Sequence, residues 1–511
     1  MQFLPRRITS ALRVNCNGKA ELALDQQEID ALKTKKLCHH CVGESYLSNE
    51  MRAQGTKLRC SYCGRVAKSY RISELAERIE EVFDQHYFRT SDQPTSWQYS
   101  MLADKESSYE WERDGVPVLY AIMDAADMPE AAANDIQRIL EDQYSDFDAA
   151  ATGEETEFSS DSYYEEKGTD DWRWQEDWQG FELSLKTEAR FFSRTAASHL
   201  TSVFLGIDLM KTQDGRSLVV DAGPGTSLTA LYRARVFQAD EKLKEALTRP
   251  DRHVGSPPSM YANAGRMNAH GISVFYGAND PNVALAEVRP PVGSQVIVAR
   301  FEIVRPVRLL DLMALSAVST SGSIFDPTLA GCLERAMFLR RLSHRITRPV
   351  MPDDEPFEYI ATQAVADFLA TESTMQIDGV IFPSVQMAGV SLNILLFHKA
   401  ARVEEMELPE GTEVSASLGQ MYEEGWEVEY TVIEEVPSKR EKRDEKRDTL
   451  SGEYLLTEYG GGWEGLNPDP RPSTLKIDVE SVTVHIIQAV EFSTKEHKVH
   501  RHRWEKHARD L

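Results

Sequence analysis

Hydrophobic residues recur at helical spacing through the first half of the chain and gather into short strand-like runs in the second. ISELAERIEEVFDQHY sets Ile72, Leu75, Ile79, Val82 and Phe83 on one helical face. PEAAANDIQRILEDQY repeats Ala132, Ile136, Ile139 and Leu140 in the same way, with Pro129 suited to the first helical position. FELSLKTEARFFSRTAASHLTSVFLG predicts one further helix, burying Phe181, Leu185, Ala189, Phe192, Ala196 and Val203. Before it lies EETEFSSDSYYEEKGTDDWRWQEDW, acidic and aromatic, which reads as a solvated loop whose rings dock on the helices. From about residue 226 the pattern becomes mixed. LTALYRARVF, ISVFYGAND, DGVIFPSVQ and SLNILLF read as strands, and YIATQAVADFL as a helix. Asp280 can cap, and Pro281 begin, a helix that carries Glu287 one turn beyond Val283 and Ala284, on its inward face. Past residue 402, WEVEYTVIEEV and STLKIDVESVTVHIIQAVEF are strand-like, separated by the exposed charged linker KREKRDEKRD.

This pattern predicts an α+β multidomain protein: an N-terminal extension (1–35), a four-cysteine ribbon (36–70), a helical domain (71–225), a mixed α/β domain (226–402) and a β-rich C-terminal region (403–511) with a basic tail. A length of 511 residues fits about three or four cores. No apolar run reaches the roughly 18 residues needed to span a bilayer. The opening MQFLPRRITS lacks the apolar stretch of a secretory signal, so the expected location is cytoplasmic, with no membrane partner. A net charge of −25 disfavours nucleic acid as a partner, because phosphate binding needs a basic surface. His497, His500, His502 and His507 in the tail read as solvated.

Four of the six cysteines form two CxxC pairs, Cys38/Cys41 and Cys60/Cys63. At this spacing they can give four thiolates to one structural zinc ion, with no coordination position left open. His39 and His40, inside the first pair, read as spacers. A second constellation lies in 226–402. Tyr232, Arg233 and Arg235 sit on one strand, Arg266 on a glycine turn, Tyr276 at a strand end, Glu287 on a helix and Ser384 just past Pro383. An inward glutamate is more often an ion-paired structural residue. Here, however, arginines, a tyrosine and a serine fall at turns and strand ends, where binding residues gather. Two guanidinium groups suit a diphosphate, a tyrosine ring suits a base or nicotinamide, and a buried carboxylate can stabilise a sugar cation. Together these describe a dinucleotide site at which a glycosidic bond breaks. No GxGxxG turn is present to indicate hydride transfer.

LYR, GRMN, VFYGAND, ALAEVR and FPS, in this order, resemble the RES domain family, although the family often has tryptophan where Met267 stands. The resemblance implies a fold like that of ADP-ribosyltransferase toxins and an enzyme that depletes NAD by hydrolysis or phosphorolysis, in bacterial toxin–antitoxin systems. It implies that Arg233 and Arg266 hold the NAD phosphates, with Tyr232 beside them. Tyr276 would pack at the nicotinamide end, Glu287 would act at the ribose and Ser384 would complete the pocket. Inorganic phosphate is then a candidate co-substrate, and a regulatory protein or a second copy a candidate partner. Phage defense is a candidate role. The front half, KLCHHCVGE…RCSYCG with ISELAERIEEVFDQHYFRT and EARFFS, resembles the HEPN/RES N-terminal domain, and Arg194 and His199 fit the R-x4-H pattern of HEPN ribonucleases. On a regular helix that pair lies about 140° apart. Protein ADP-ribosylation, HEPN-type RNA cleavage and NAD binding without catalysis are the rival expectations.

Overall fold

The computed structural model describes residues 26–504 apart from 105, 147, 149–151, 153, 189, 191, 372–374, 388–390, 424, 438–468 and 492. The linker KREKRDEKRD and His507 lie outside the described residues. The chain divides into two compact units, one of residues 1–175 with 319–338, the other of 176–318 with 339–511.

In the first unit, strands β1 (Lys36–Cys38), β2 (Thr56–Arg59) and β3 (Val66–Arg71) form an antiparallel sheet in the order β1-β3-β2. Helix α1 (Ile72–His86) follows β3 directly; its predicted apolar residues are all buried, and the Glu74 carboxylate accepts from the Arg71 amide to close its first turn. Helices α2 (Val118–Ala126) and α3 (Glu130–Gln143) share its core. Pro129 is the residue before α3, not its first, because its ψ of 140° is extended. The acidic segment is more ordered than a solvated loop. Tyr163–Glu166 is the middle strand of a three-stranded sheet, and Phe158 and Tyr164 pack against Phe83.

The stretch predicted as one long helix is two, α4 (Trp172–Thr187) and α5 (Arg194–Phe204). Phe192 takes a left-handed φ of 63° and is exposed, and Ser193 caps α5 by accepting from the Ala196 amide at 3.2 Å. The helical spacing therefore continues across a break, and Phe192 leaves the buried face expected of it. Ala189 is outside the described residues.

An eight-stranded sheet dominates the second unit. Its strands in chain order are β4 (Val219–Ala222), β5 (Ala230–Phe237), β6 (Phe275–Ala278), β7 (Gln295–Ile303), β8 (Val307–Asp311), β9 (Gly379–Pro383), β10 (Leu392–Leu396) and β11 (Leu475–Ile486). Across the sheet they run β11-β7-β5-β6-β10-β9-β8-β4. All neighbours are antiparallel except β8 and β9. The outermost strand, β11, comes from the C-terminal region and pairs with β7 from Gln295–Ile486 to Ile303–Leu475. The other strand-like run past residue 402 contributes to two exposed hairpins, Glu413–Ser417 with Thr431–Glu435 and Gln420–Tyr422 with Gly425–Glu427.

Between β5 and β6 the ladder is nearly absent. They pair at Ala278 and Tyr232 alone, whereas β5 pairs with β7 along its whole length. The sheet is therefore two half-sheets touching at one point, with a gap opening beside it. Gly277 lets β6 run close to β5, since a Cβ there would stand 3.1 Å from Leu231 Cβ. Helix α6 (Pro281–Glu287), capped by Asp280 as predicted, crosses one side of the gap. Helices α7 (Leu329–Thr347) and α8 (Glu355–Thr371) follow later in the chain. Among the described residues no helix is long and apolar enough to cross a membrane.

Candidate active site

The gap opens into a cavity of about 410 Å³, a size usual for small-molecule sites. Arg233, Arg266, Tyr276 and Glu287, spread over 55 positions of sequence, all line it. Each arrives for a local reason. Alternation along β5 sends Arg233 to the opposite face from Tyr232 and Ala234. Its guanidinium lies 4.8 Å over the Phe275 ring, and its Nη1 is buried with no hydrogen-bond partner among the described residues. Burial, then the nearby Arg235, bring its pKa down to about 10, with Tyr276 opposing and no carboxylate contributing. It remains a cation at neutral pH, and it lacks an anion.

Arg266 projects from the GRMN turn. Its Nη1 donates to the carbonyl oxygens of Ile346 and Arg348 at the end of α7, and the guanidinium lies 5.5 Å from the Tyr359 ring centroid. Helix α8 holds the turn from outside: Thr362 donates to the Arg266 carbonyl at 2.6 Å and Gln363 to the Gly265 carbonyl at 2.8 Å. Tyr276 reaches the same turn, its hydroxyl donating to Asn268 Oδ1 at 3.1 Å. Burial raises the Tyr276 phenol to about 12, so it stays protonated. Gly265 is required there, because a Cβ would lie 2.8 Å from the Tyr276 hydroxyl.

Glu287 ends α6. Its Oε1 accepts from Ser384 Oγ at 2.5 Å and from Asn393 Nδ2 at 2.7 Å. Ser384 follows β9 and also accepts from the Gln386 amide at 3.1 Å. No histidine contacts it among its hydrogen bonds, so it is arranged to hold the carboxylate, not to act as a nucleophile.

Of the predicted site residues, Tyr232 and Ser384 are not among those that line the cavity, and Arg194 and His199 are placed as regular helix geometry predicts. Tyr232 packs against the cluster of Ala278, Val283 and Ala284. Arg194 and His199 do not converge, because α5 is regular through both. Arg194 is exposed, whereas His199 lies against the rings of Trp178 and Phe181, and burial lowers its pKa. Sequence reasoning also missed lining residues. Arg289, in the quoted ALAEVR, adds a third cationic side chain at a left-handed φ of 44°; Glu355, Tyr359 and Asn393 complete the polar lining. A lone asparagine within an apolar strand was the available signal for Asn393.

In the first unit the sulfurs of Cys38, Cys41, Cys60 and Cys63 all lie within 4.8 Å of one another. Cys38 is 3.8 Å from Cys41 and 3.5 Å from Cys63, and Cys41 is 4.0 Å from Cys60. Four thiolates about 2.3 Å from a tetrahedral ion stand about 3.8 Å apart, so the cluster fits such an ion. Burial raises the thiols of Cys38 and Cys41, which therefore ionise together only when a cation offsets the charge. His39 is turned to the Lys68 carbonyl, and neither His39 nor His40 belongs to the cluster.

Residues 230–417 match the family model of the RES domain, which bears out that part of the resemblance. This family is generally associated with NAD-related toxin activity, and the matched segment contains every lining residue of the cavity. No curated protein and no solved structure matches the chain.

Proposed function

We propose that the protein consumes NAD by cleaving the bond between nicotinamide and ribose. The observation that carries this reading is the convergence of Arg233, Arg266, Tyr276 and Glu287 on one cavity, with a buried guanidinium nitrogen that has no hydrogen-bond partner among the described residues. Arg233 and Arg266 grip the diphosphate and present the ribose. Tyr276 offers its ring to nicotinamide. When the C–N bond breaks, its electron pair neutralises the pyridinium nitrogen, so nicotinamide leaves without a general acid. Positive charge develops on the ribose, and the Glu287 carboxylate, held by Ser384 and Asn393, stabilises it. The acceptor then closes the new bond at the anomeric carbon and gives up a proton if it is water.

The test is to incubate purified protein with NAD, with and without phosphate, and identify products by mass spectrometry. Nicotinamide with ADP-ribose is expected for water as acceptor, and nicotinamide with a phosphorylated ADP-ribose for phosphate. Label retained on a macromolecule indicates transfer to protein. Intact NAD under all conditions overturns the reading.

For the four-cysteine cluster we infer a zinc ion with a structural role. Metal analysis is expected to give one zinc per chain, and none after Cys38→Ser, with cooperative melting of the first unit lost in the variant. A native chain that melts identically before and after chelation counts against it.

A further inference from the structure

Asn393 is the second residue of the apolar run LNILL that forms β10, a setting that disfavours asparagine. Its backbone pairs with Ala278 on one side and Phe382 on the other, and the residue is only 6% exposed. A buried amide needs a partner, and this one donates to Glu287 Oε1 at 2.7 Å. The same oxygen receives Ser384 Oγ at 2.5 Å, and among the described residues no donor acts on Oε2.

The terminal torsion of a glutamate is broad and soft. Two donors fixed to neighbouring strands, both closing on one oxygen, remove that softness. Asn393 is the more rigid of the two, because its backbone is laddered on both sides while Ser384 lies just past the end of β9. We propose that Asn393 is a positioning residue that fixes the plane of the Glu287 carboxylate, so that Oε2 is the oxygen presented to the developing ribose cation. The reacting group named here rests on the NAD-cleavage reading; the grip on Glu287 does not.

Asn393→Leu keeps the bulk and removes the donor, and Asn393→Asp keeps the shape and replaces the donor with an acceptor. Either variant is compared with native protein for nicotinamide release and for the Glu287 conformation in crystals; the aspartate variant serves if the leucine variant fails to fold. The expected result is a fall in kcat on the order of 100-fold. KM for NAD stays within about threefold of native, because the diphosphate grip is untouched. Glu287 turns away from its native orientation while Arg233 and Tyr276 keep theirs. A native kcat in a folded variant, a change confined to KM, or an unmoved Glu287 overturns the proposal and leaves the NAD reading intact. If native protein releases no nicotinamide, the NAD reading falls separately, and the Glu287 orientation alone decides the role of Asn393.

Discussion

Glu287→Gln is expected to lower nicotinamide release by on the order of a thousandfold while leaving the protein folded. The substitution keeps the shape of the side chain and an oxygen able to accept from Ser384 and Asn393, so the local hydrogen bonds survive. What disappears is the negative charge proposed to face the ribose. Folding is checked by thermal melting, with a change of no more than about 1 kcal/mol expected. NAD binding, measured calorimetrically, is expected to persist, since the arginines proposed to bind the diphosphate are unaltered. Turnover equal to native would remove the glutamate from the mechanism.

Arg233→Met is expected to move stability and function in opposite directions. The native guanidinium has a buried Nη1 with no hydrogen-bond partner among the described residues, and a group left so costs about 1–3 kcal/mol. Part of that cost is offset by the ring of Phe275, 4.8 Å away, against which a methionine sulfur also packs well. The variant should therefore be more stable than native by about 1 kcal/mol, and should bind NAD about 100-fold more weakly. The pairing of these results is the diagnostic point. A guanidinium kept for packing would give a less stable variant with native affinity, and that outcome would end the case for Arg233 as an anion site.

The strands and helix that carry the site were readable because their local patterns are strong. An alternating run brought Arg233 to β5, and Asp280 with Pro281 fixed the start of α6. Pro383 marked the end of β9, which puts Ser384 in reach of Glu287. What escaped depends on distance or on a single backbone angle. Nothing in the local pattern of residues 475–486 tells that they pair with β7, almost 180 positions earlier. The helical spacing continues past Phe192, whose left-handed φ stands just before the Ser193 cap of α5. The LYR motif carries Tyr232 together with Arg233, but only Arg233 reaches the cavity lining, while Tyr232 packs in the cluster with Ala278 and Val283. Asn393 is one polar letter in an apolar run, and its meaning emerges when β10 is set beside α6.

The meeting of β5 and β6 at one residue pair has a mechanical consequence. Elsewhere in the sheet, backbone rungs tie each strand to its neighbours; at this seam one pair remains, and helix α6, packed against Ala234, Val296, Val298 and Ala278, covers one side of it. A bound dinucleotide, held by Arg233 on one bank and by Arg266 and Glu287 on the other, would act as a splint across the two half-sheets. Occupancy and stiffness of the domain would then rise together, and release of products would loosen the same joint.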